Sequence, residues 1–318
     1  MSNLVITEST LGDEGLKSLM ILLAEGFLAA KRARGHPINF VNSNSPSQAI
    51  AEFGQTARVL LSPSVASTLV SPGADLVYDD TVGTSVDVTL NKFRRTAFGY
   101  SQVAEALDGG HSVASVTEGH MSGLFNDIEA DVLSIATSLH TNVVGTYGAD
   151  VTDEVIAAAF GKLADAYVPE GAPLVGYLHQ GPSAWQAFTA IPYVRQYYNT
   201  GEKSPDKIAT YGSSPILHKS IGWMLSQSVK RTSGTFTYAH TNNIAFHRDA
   251  ILMAMKPLRV PTVKGVEAMN FRDADSGIEF QILKQWDPKQ TAEILVIQAL
   301  YGIALGREDW AVLIKSGE

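Results

Sequence analysis

At 318 residues, 45% hydrophobic and only 18% charged, the chain can bury a large core and leaves more neutral surface than usual, as suits a protein that assembles. A net charge of −8 argues against electrostatic wrapping of nucleic acid. The absence of cysteine excludes a disulfide scaffold, a thiolate metal site and a cysteine nucleophile.

Residues 16–30 (LKSLMILLAEGFLAA) predict a soluble amphipathic helix. The run is too short for a bilayer, carries Glu25, and is followed by Lys31, Arg32 and Arg34, the wrong order for a secretory signal. Gly35 and Pro37 end it. Residues 42–48 read as a polar connector and 55–61 as a strand. Residues 62–85 are rich in Ser, Pro, Gly, Asp and Thr. Val86, Val88 and Leu90 then alternate with Asp87, Thr89 and Asn91, a half-buried strand that continues through Lys92, Phe93, Arg94 and Arg95 to Phe98. Two strands joined by so long a connection predict a protruding hairpin. Its tip carries Asp75, Asp79 and Asp80, and its returning strand three cations.

Residues 112–142 predict a long helix. Met121, Leu124, Phe125, Ile128, Val132, Ile135, Ala136 and Leu139 form one apolar stripe, with Ser112 a suitable N-cap and Gly145 a suitable stop. Asp127 and Asp131 lie on the polar side. Gly119 and Gly123 share that broad side, each costing ~1 kcal/mol against alanine. Glycines and like charges on one face predict that something comes close there; the plain alternative is a solvated acidic face. An α/β stretch follows, with helices at 153–167 and from Pro182, a strand at 174–178, a loop at 193–206, strands at 221–229, 234–239 and 243–247, and a short helix at 248–255. The last sixty or so residues are β-rich, with strands at 266–271, 278–286, 292–301 and 311–314.

No nucleophile elbow, P-loop or dinucleotide fingerprint occurs. His240 and His247 read as structural. Asp273, Asp275 and Gly277 open like a calcium loop but lack a third ligand and a closing glutamate. Asp127 and Glu129, two apart on a helix, point to different faces and make poor partners for one reaction centre. An enzymatic reading has no constellation to stand on, so no catalytic, cofactor-binding or metal residue is assigned.

The order of elements resembles that of the tailed-bacteriophage major capsid proteins, whose Johnson fold is shared with encapsulins and herpesvirus capsid floors. VDVTLNKFRRTAFGYSQVAEAL resembles the returning strand of the family's extended loop and FNDIEADVLSI its spine helix. NNIAFHRDAILMAM resembles the return from the axial domain, and ADSGIEFQILKQWDP and IQALYGIALGRED the closing strands. The resemblance implies an α+β fold with an N-terminal arm (1–53), an extended β-hairpin loop (54–98), a peripheral domain with the spine helix (99–147 and 256–318) and an axial α/β domain (148–255). The last strand is assignable to either domain.

It also implies a virion shell subunit, assembled in the bacterial cytoplasm into hexamers and pentamers of an icosahedral capsid that undergoes procapsid maturation. That shell encloses double-stranded DNA without sequence-specific binding and without a membrane. Implied partners are other copies of the chain, a separate scaffolding protein (the arm being too short for a fused one), a portal protein and a decoration protein. Lys92, Arg94 and Arg95 are the expected inter-subunit cations, with Asp127, Glu129 and Asp131 as their acids. Gly119 and Gly123 are the expected points of spine flexibility. Reversing charge at Arg94 and Arg95 is expected to leave the monomer folded and impair assembly. Two alternatives stand beside this reading: an encapsulin-type cargo shell and, from another class, an α/β hydrolase-like enzyme with a hairpin lid.

Overall fold

The structure, a computed structural model, describes residues 4–9, 36–43, 56–61, 84–101, 111–168, 174–192, 194, 216–229, 231–233, 239–262, 265–273, 277–289 and 291–317. The helix expected at 16–30, the hairpin tip with its three aspartates, and the loop at 193–206 apart from Val194 lie outside them.

In chain order, β1 (Leu4–Ser9) is followed by a 3-10 turn at Pro37–Phe40, then by β2 (Thr56–Leu61) and β3 (Thr84–Thr89). Only Leu90 and Asn91 separate β3 from β4 (Lys92–Ser101). Helix α1 (His111–Leu133) comes next, then β5 (Val143–Gly145) and α2 (Asp153–Asp165). Strand β6 (Leu174–His179) leads to a π-helical turn at Pro182–Gln186 and the short α3 (Ala187–Ala190). Four strands follow: β7 (Ile216–His218), β8 (Ile221–Ser226), β9 (Arg231–Ser233) and β10 (Ala239–His247). The remainder is β11 (Ile251–Lys256), β12 (Val266–Asp273), β13 (Glu279–Asp287), β14 (Ala292–Leu305) and β15 (Ala311–Gly317).

These strands build two large sheets. The first runs β1-β12-β13-β14-β11, with β4 also on β14, and every pairing in it is antiparallel. The second runs β5-β15-β10-β6-β8-β7, with β9 on β10. There β5 lies parallel to β15 and β6 parallel to β8. Helix α1 joins the two sheets. Its stripe of Met121, Leu124, Phe125, Ile128 and Val132 is buried in one cluster with Phe271, Phe280, Ile297 and Tyr301 of the first sheet and Tyr177, Phe246 and Leu313 of the second. The hairpin's root forms a smaller cluster, in which Ala57, Val59, Val88 and Leu90 pack on Leu252, Ala254 and Leu300.

Several sequence expectations change. The long helix ends as α-helix at Leu133 and continues as a 3-10 turn over Ser134–Ser138. The cause is local. The hydroxyls of Ser134, Thr137 and Ser138 each donate to the carbonyl three residues back, at 2.6 to 2.7 Å, competing with the α-helical ladder. Residues 248–255 are not a helix: a 3-10 turn at Arg248–Ala250 leads into β11. That strand is buried on both faces. Ile251, Met253 and Met255 point to the main core, while Leu252 and Ala254 lie under the hairpin, so the segment reads as an unbroken apolar run without visible period. It belongs to the first sheet although it falls mostly within the span assigned to the axial domain. The last strand, β15, lies in the second sheet between β5 and β10. Helix α2 forms as expected: Thr152 caps it by accepting from the Val155 amide, and Asp153 and Glu154 sit in its first turn.

Candidate assembly interface

Strand β4 is laid between β14 and the outer side of α1. Its burial alternates: Lys92, Arg94, Thr96 and Phe98 are half-buried, while Phe93, Arg95, Ala97 and Gly99 are exposed. Strand periodicity therefore divides the three cations into two groups. Lys92 and Arg94 face the helix, and Arg95 faces outward.

The inward pair meets acids of its own chain. Lys92 Nζ lies 2.9 Å from Asp131 Oδ1. Arg94 donates to Asp131 Oδ2 from Nε at 3.1 Å and from Nη2 at 3.0 Å, and its Nη1 donates to Asp127 Oδ2 at 3.2 Å. Tyr301 of β14 completes the cluster. Its hydroxyl donates to Asp131 Oδ2 at 2.5 Å and accepts from Arg94 Nε at 3.1 Å. Burial pushes the Asp131 carboxyl up, but hydrogen bonds from Tyr301, Lys92 and Arg94 outweigh it and hold that carboxyl below its ordinary range. Burial, reinforced by the hydrogen bond to Asp131, raises the Tyr301 phenol well above its ordinary value. One carboxylate thus staples β4, β14 and the spine helix together. The sequence singled out these cations and this acid as contacts between subunits, whereas here they meet within one chain; it gave no sign of Tyr301, which is 170 residues from Asp131 and carries no local signal.

Farther along β4, Thr96 and the His120 ring nitrogen Nδ1 are 2.6 Å apart, and His120 stacks on Phe98 with centroids 4.8 Å apart. Beside them opens a groove of about 510 Å³ lined by Arg95, Thr96, Gly119, His120, Gly123, Leu124 and Asp127. A Cβ added at Gly119 or Gly123 would meet nothing within 4 Å, so the described residues of this chain do not use the close approach those glycines permit. Among the described residues Arg95 makes no ion pair, and β4 pairs with β14 alone, leaving its other edge without a strand partner. The groove therefore combines an open strand edge, two glycines one turn apart on the helix, an outward cation and the exposed part of Asp127.

Glu129 is placed differently from the other candidate acids. It points into the protein, is 7% exposed, and contacts His36 and Ser226. The structure thus takes it off the surface of the subunit. Its position was partly legible: four residues after Phe125 and three before Val132, it falls at the edge of the apolar stripe.

The hairpin has two distinct faces. Ala57 pairs with Val88 and Val59 with Val86 on the inner face. Thr56 with Thr89, Arg58 with Asp87, and Leu60 with Ser85 form the outer face, where Leu60 is 76% exposed. At its root the hairpin crosses β14 where Gly302 sits. A Cβ there would lie 2.1 Å from the Thr89 carbonyl oxygen and 3.1 Å from the Leu90 nitrogen. Glycine is required because the obstructing atoms are backbone.

No protein family matches the sequence, and no curated protein does. Solved structures match it over nearly their whole length. A chain from Mycobacterium phage Che8 is 16% identical, with 87% of this chain and 89% of that one covered and a TM-score of 0.57. The capsid of Ralstonia phage GP4 is 12% identical, with 90% of each chain covered and a TM-score of 0.57. The SrpI encapsulin complex from Synechococcus elongatus is 10% identical, with 87% of this chain and 85% of that one covered and a TM-score of 0.52. At such identities the likeness is one of fold. The chain has the mixed α+β Johnson fold found in phage capsids and encapsulins.

Proposed function

We propose that the chain is a shell-forming subunit, the major capsid protein of a tailed bacteriophage, building hexamers and pentamers of an icosahedral capsid around double-stranded DNA. The observation that carries this reading is the extent of the match: the capsid of Ralstonia phage GP4 and this chain share one fold over 90% of each. The role is structural, so the residues at issue are those that join copies.

On this reading the hairpin is an arm that reaches from one subunit onto the next, and the groove beside β4 receives it. Arg95 is the receiving cation, and the arm segment carrying Asp75, Asp79 and Asp80 supplies the complementary charge. Lys92 and Arg94 are held by their own chain and serve the rigidity of the receiving surface. A separate scaffolding protein, a portal protein and a decoration protein are the partners expected of such a shell, which forms in the host cytoplasm and matures as DNA enters. The match to the SrpI encapsulin complex favours a second reading, a shell that encloses protein cargo.

Charge exchange tests the arm contact. Arg95→Glu is expected to leave a folded chain that no longer sediments as particles, and replacing Asp75, Asp79 and Asp80 with lysine in the same chain should restore particles. Normal assembly of Arg95→Glu would remove the groove from the reading. The content of particles isolated from the native source separates the two shells. Nuclease-protected double-stranded DNA supports the phage capsid, and an enclosed protein without DNA supports the cargo shell.

A further inference from the structure

Residues 36–43 are threaded between the spine helix and β11. The Asn42 amide donates to the Ile251 carbonyl and its carbonyl accepts from the Met253 amide, both at 3.0 Å, making a single parallel bridge. Its side chain donates to Asp249 Oδ1 at 2.7 Å. Ile38 and Val41 are buried in the main core. This segment is a clasp, and a buried polar cluster stands at its first residue. His36 Nδ1 lies 2.7 Å from Glu129 Oε2, and the Ser226 hydroxyl donates to Glu129 Oε1 at 2.5 Å. The three residues are 8%, 7% and 5% exposed. Ser226 is fixed in turn by accepting from the Ser228 amide at 3.0 Å. Tyr177 of β6 faces the same carboxylate: burial first, and then the charge of Glu129, push its phenol well above the ordinary value.

We propose that His36, Glu129 and Ser226 form a polar latch that seats the clasp on the spine helix and the second sheet at once. The spine supplies the carboxylate, the clasp the imidazole and the end of β8 the hydroxyl, so one side chain ties together three separate parts of the chain. A buried carboxylate is tolerated only with good partners, and removing one partner costs far more than replacing the whole set by neutral groups. The latch is therefore asymmetric. Loss of His36 removes one partner of the buried Glu129 carboxylate and loosens the clasp, whereas neutralising Glu129 as well lets it reseat. The inference holds whether or not the chain builds a shell. Its consequence is that movement of the spine at Glu129 is felt directly at the root of the N-terminal segment.

Hydrogen exchange of residues 36–43, read against β14 of the same purified chain, tests it. His36→Gln is expected to speed exchange of the clasp about tenfold or more with β14 little changed, and His36→Gln with Glu129→Gln should return the clasp to within about threefold of the parent. Unchanged clasp exchange in His36→Gln, a double variant as fast as the single one, or equal acceleration of β14 would each overturn the latch. If His36→Gln does not fold, Ser226→Ala takes its place. It removes one hydrogen bond from Glu129 and should speed clasp exchange several-fold with β14 unchanged; no change would overturn the latch.

Discussion

Strand β4 and the β2–β3 hairpin are separated by two residues, yet the chain treats them in opposite ways. Ten residues of β4 pair along β14, and the strand's inward side chains are fastened to the spine helix through Asp131. The described residues of the hairpin pair only with each other and rest on the body through one face. Both segments alternate polar and apolar residues, so pattern alone does not separate them. What separates them is the object under the buried face: for β4 a helix carrying complementary acids, for the hairpin a small patch centred on Leu252, Ala254 and Leu300. A strand paired along one edge and fastened to a helix belongs to the body, whereas the described part of the hairpin rests on it through one face alone.

The largest way to break this contrast is at Gly302. Gly302→Ala places a Cβ against the backbone of Thr89, which cannot rotate away. The hairpin root must lift from β14, and we expect a loss of ~2–3 kcal/mol in urea unfolding, close to the range for overpacking. The second test is at Asp131. Asp131→Asn leaves Lys92 and Arg94 without their shared charge and should cost ~2 kcal/mol, discounted because Arg94 is more than a third exposed.

The depressed carboxyl gives this test a pH signature. A group whose folded value is lowered stabilises above its unfolded value and loses that contribution as pH falls through the folded one. The stability gap between the parent and Asp131→Asn should therefore be full above about pH 4 and shrink on further acidification. A gap constant down to pH 2 would show that Asp131 acts by shape and not by charge.

The smallest effect sharpens the contrast most. Arg94→Glu puts a third carboxylate beside Asp127 and Asp131 and should lower the unfolding free energy by ~1–2 kcal/mol, whereas Arg95→Glu should change it by less than ~0.5 kcal/mol. Equal losses in thermal unfolding would mean that the two faces of β4 are not distinct. The sequence expectation treated the two arginines together, with reversal at both leaving the monomer folded; the two faces of β4 require testing them apart.

Much of this arrangement was legible beforehand. The apolar stripe from Met121 to Val132, the alternating returning strand and the capped α2 all follow from short-range pattern, and the order of elements pointed to the fold. Strand parity could also have divided Lys92 and Arg94 from Arg95, since residues two apart share a face. Other features required the folded chain. The fully buried β11 has no exposed face to reveal its period. Tyr301 and Asp131 meet across 170 residues, and His36 reaches Glu129 only because the clasp is threaded beneath the spine. Contacts set by topology leave no trace in local spacing.

The central claim is that this fold serves to build a shell, and negative-stain electron microscopy of the purified parent chain tests it most directly. Closed particles or regular tubes of uniform diameter are the predicted result. A field of monomers or dimers at every concentration, matched by a single small species in size-exclusion chromatography, would contradict it.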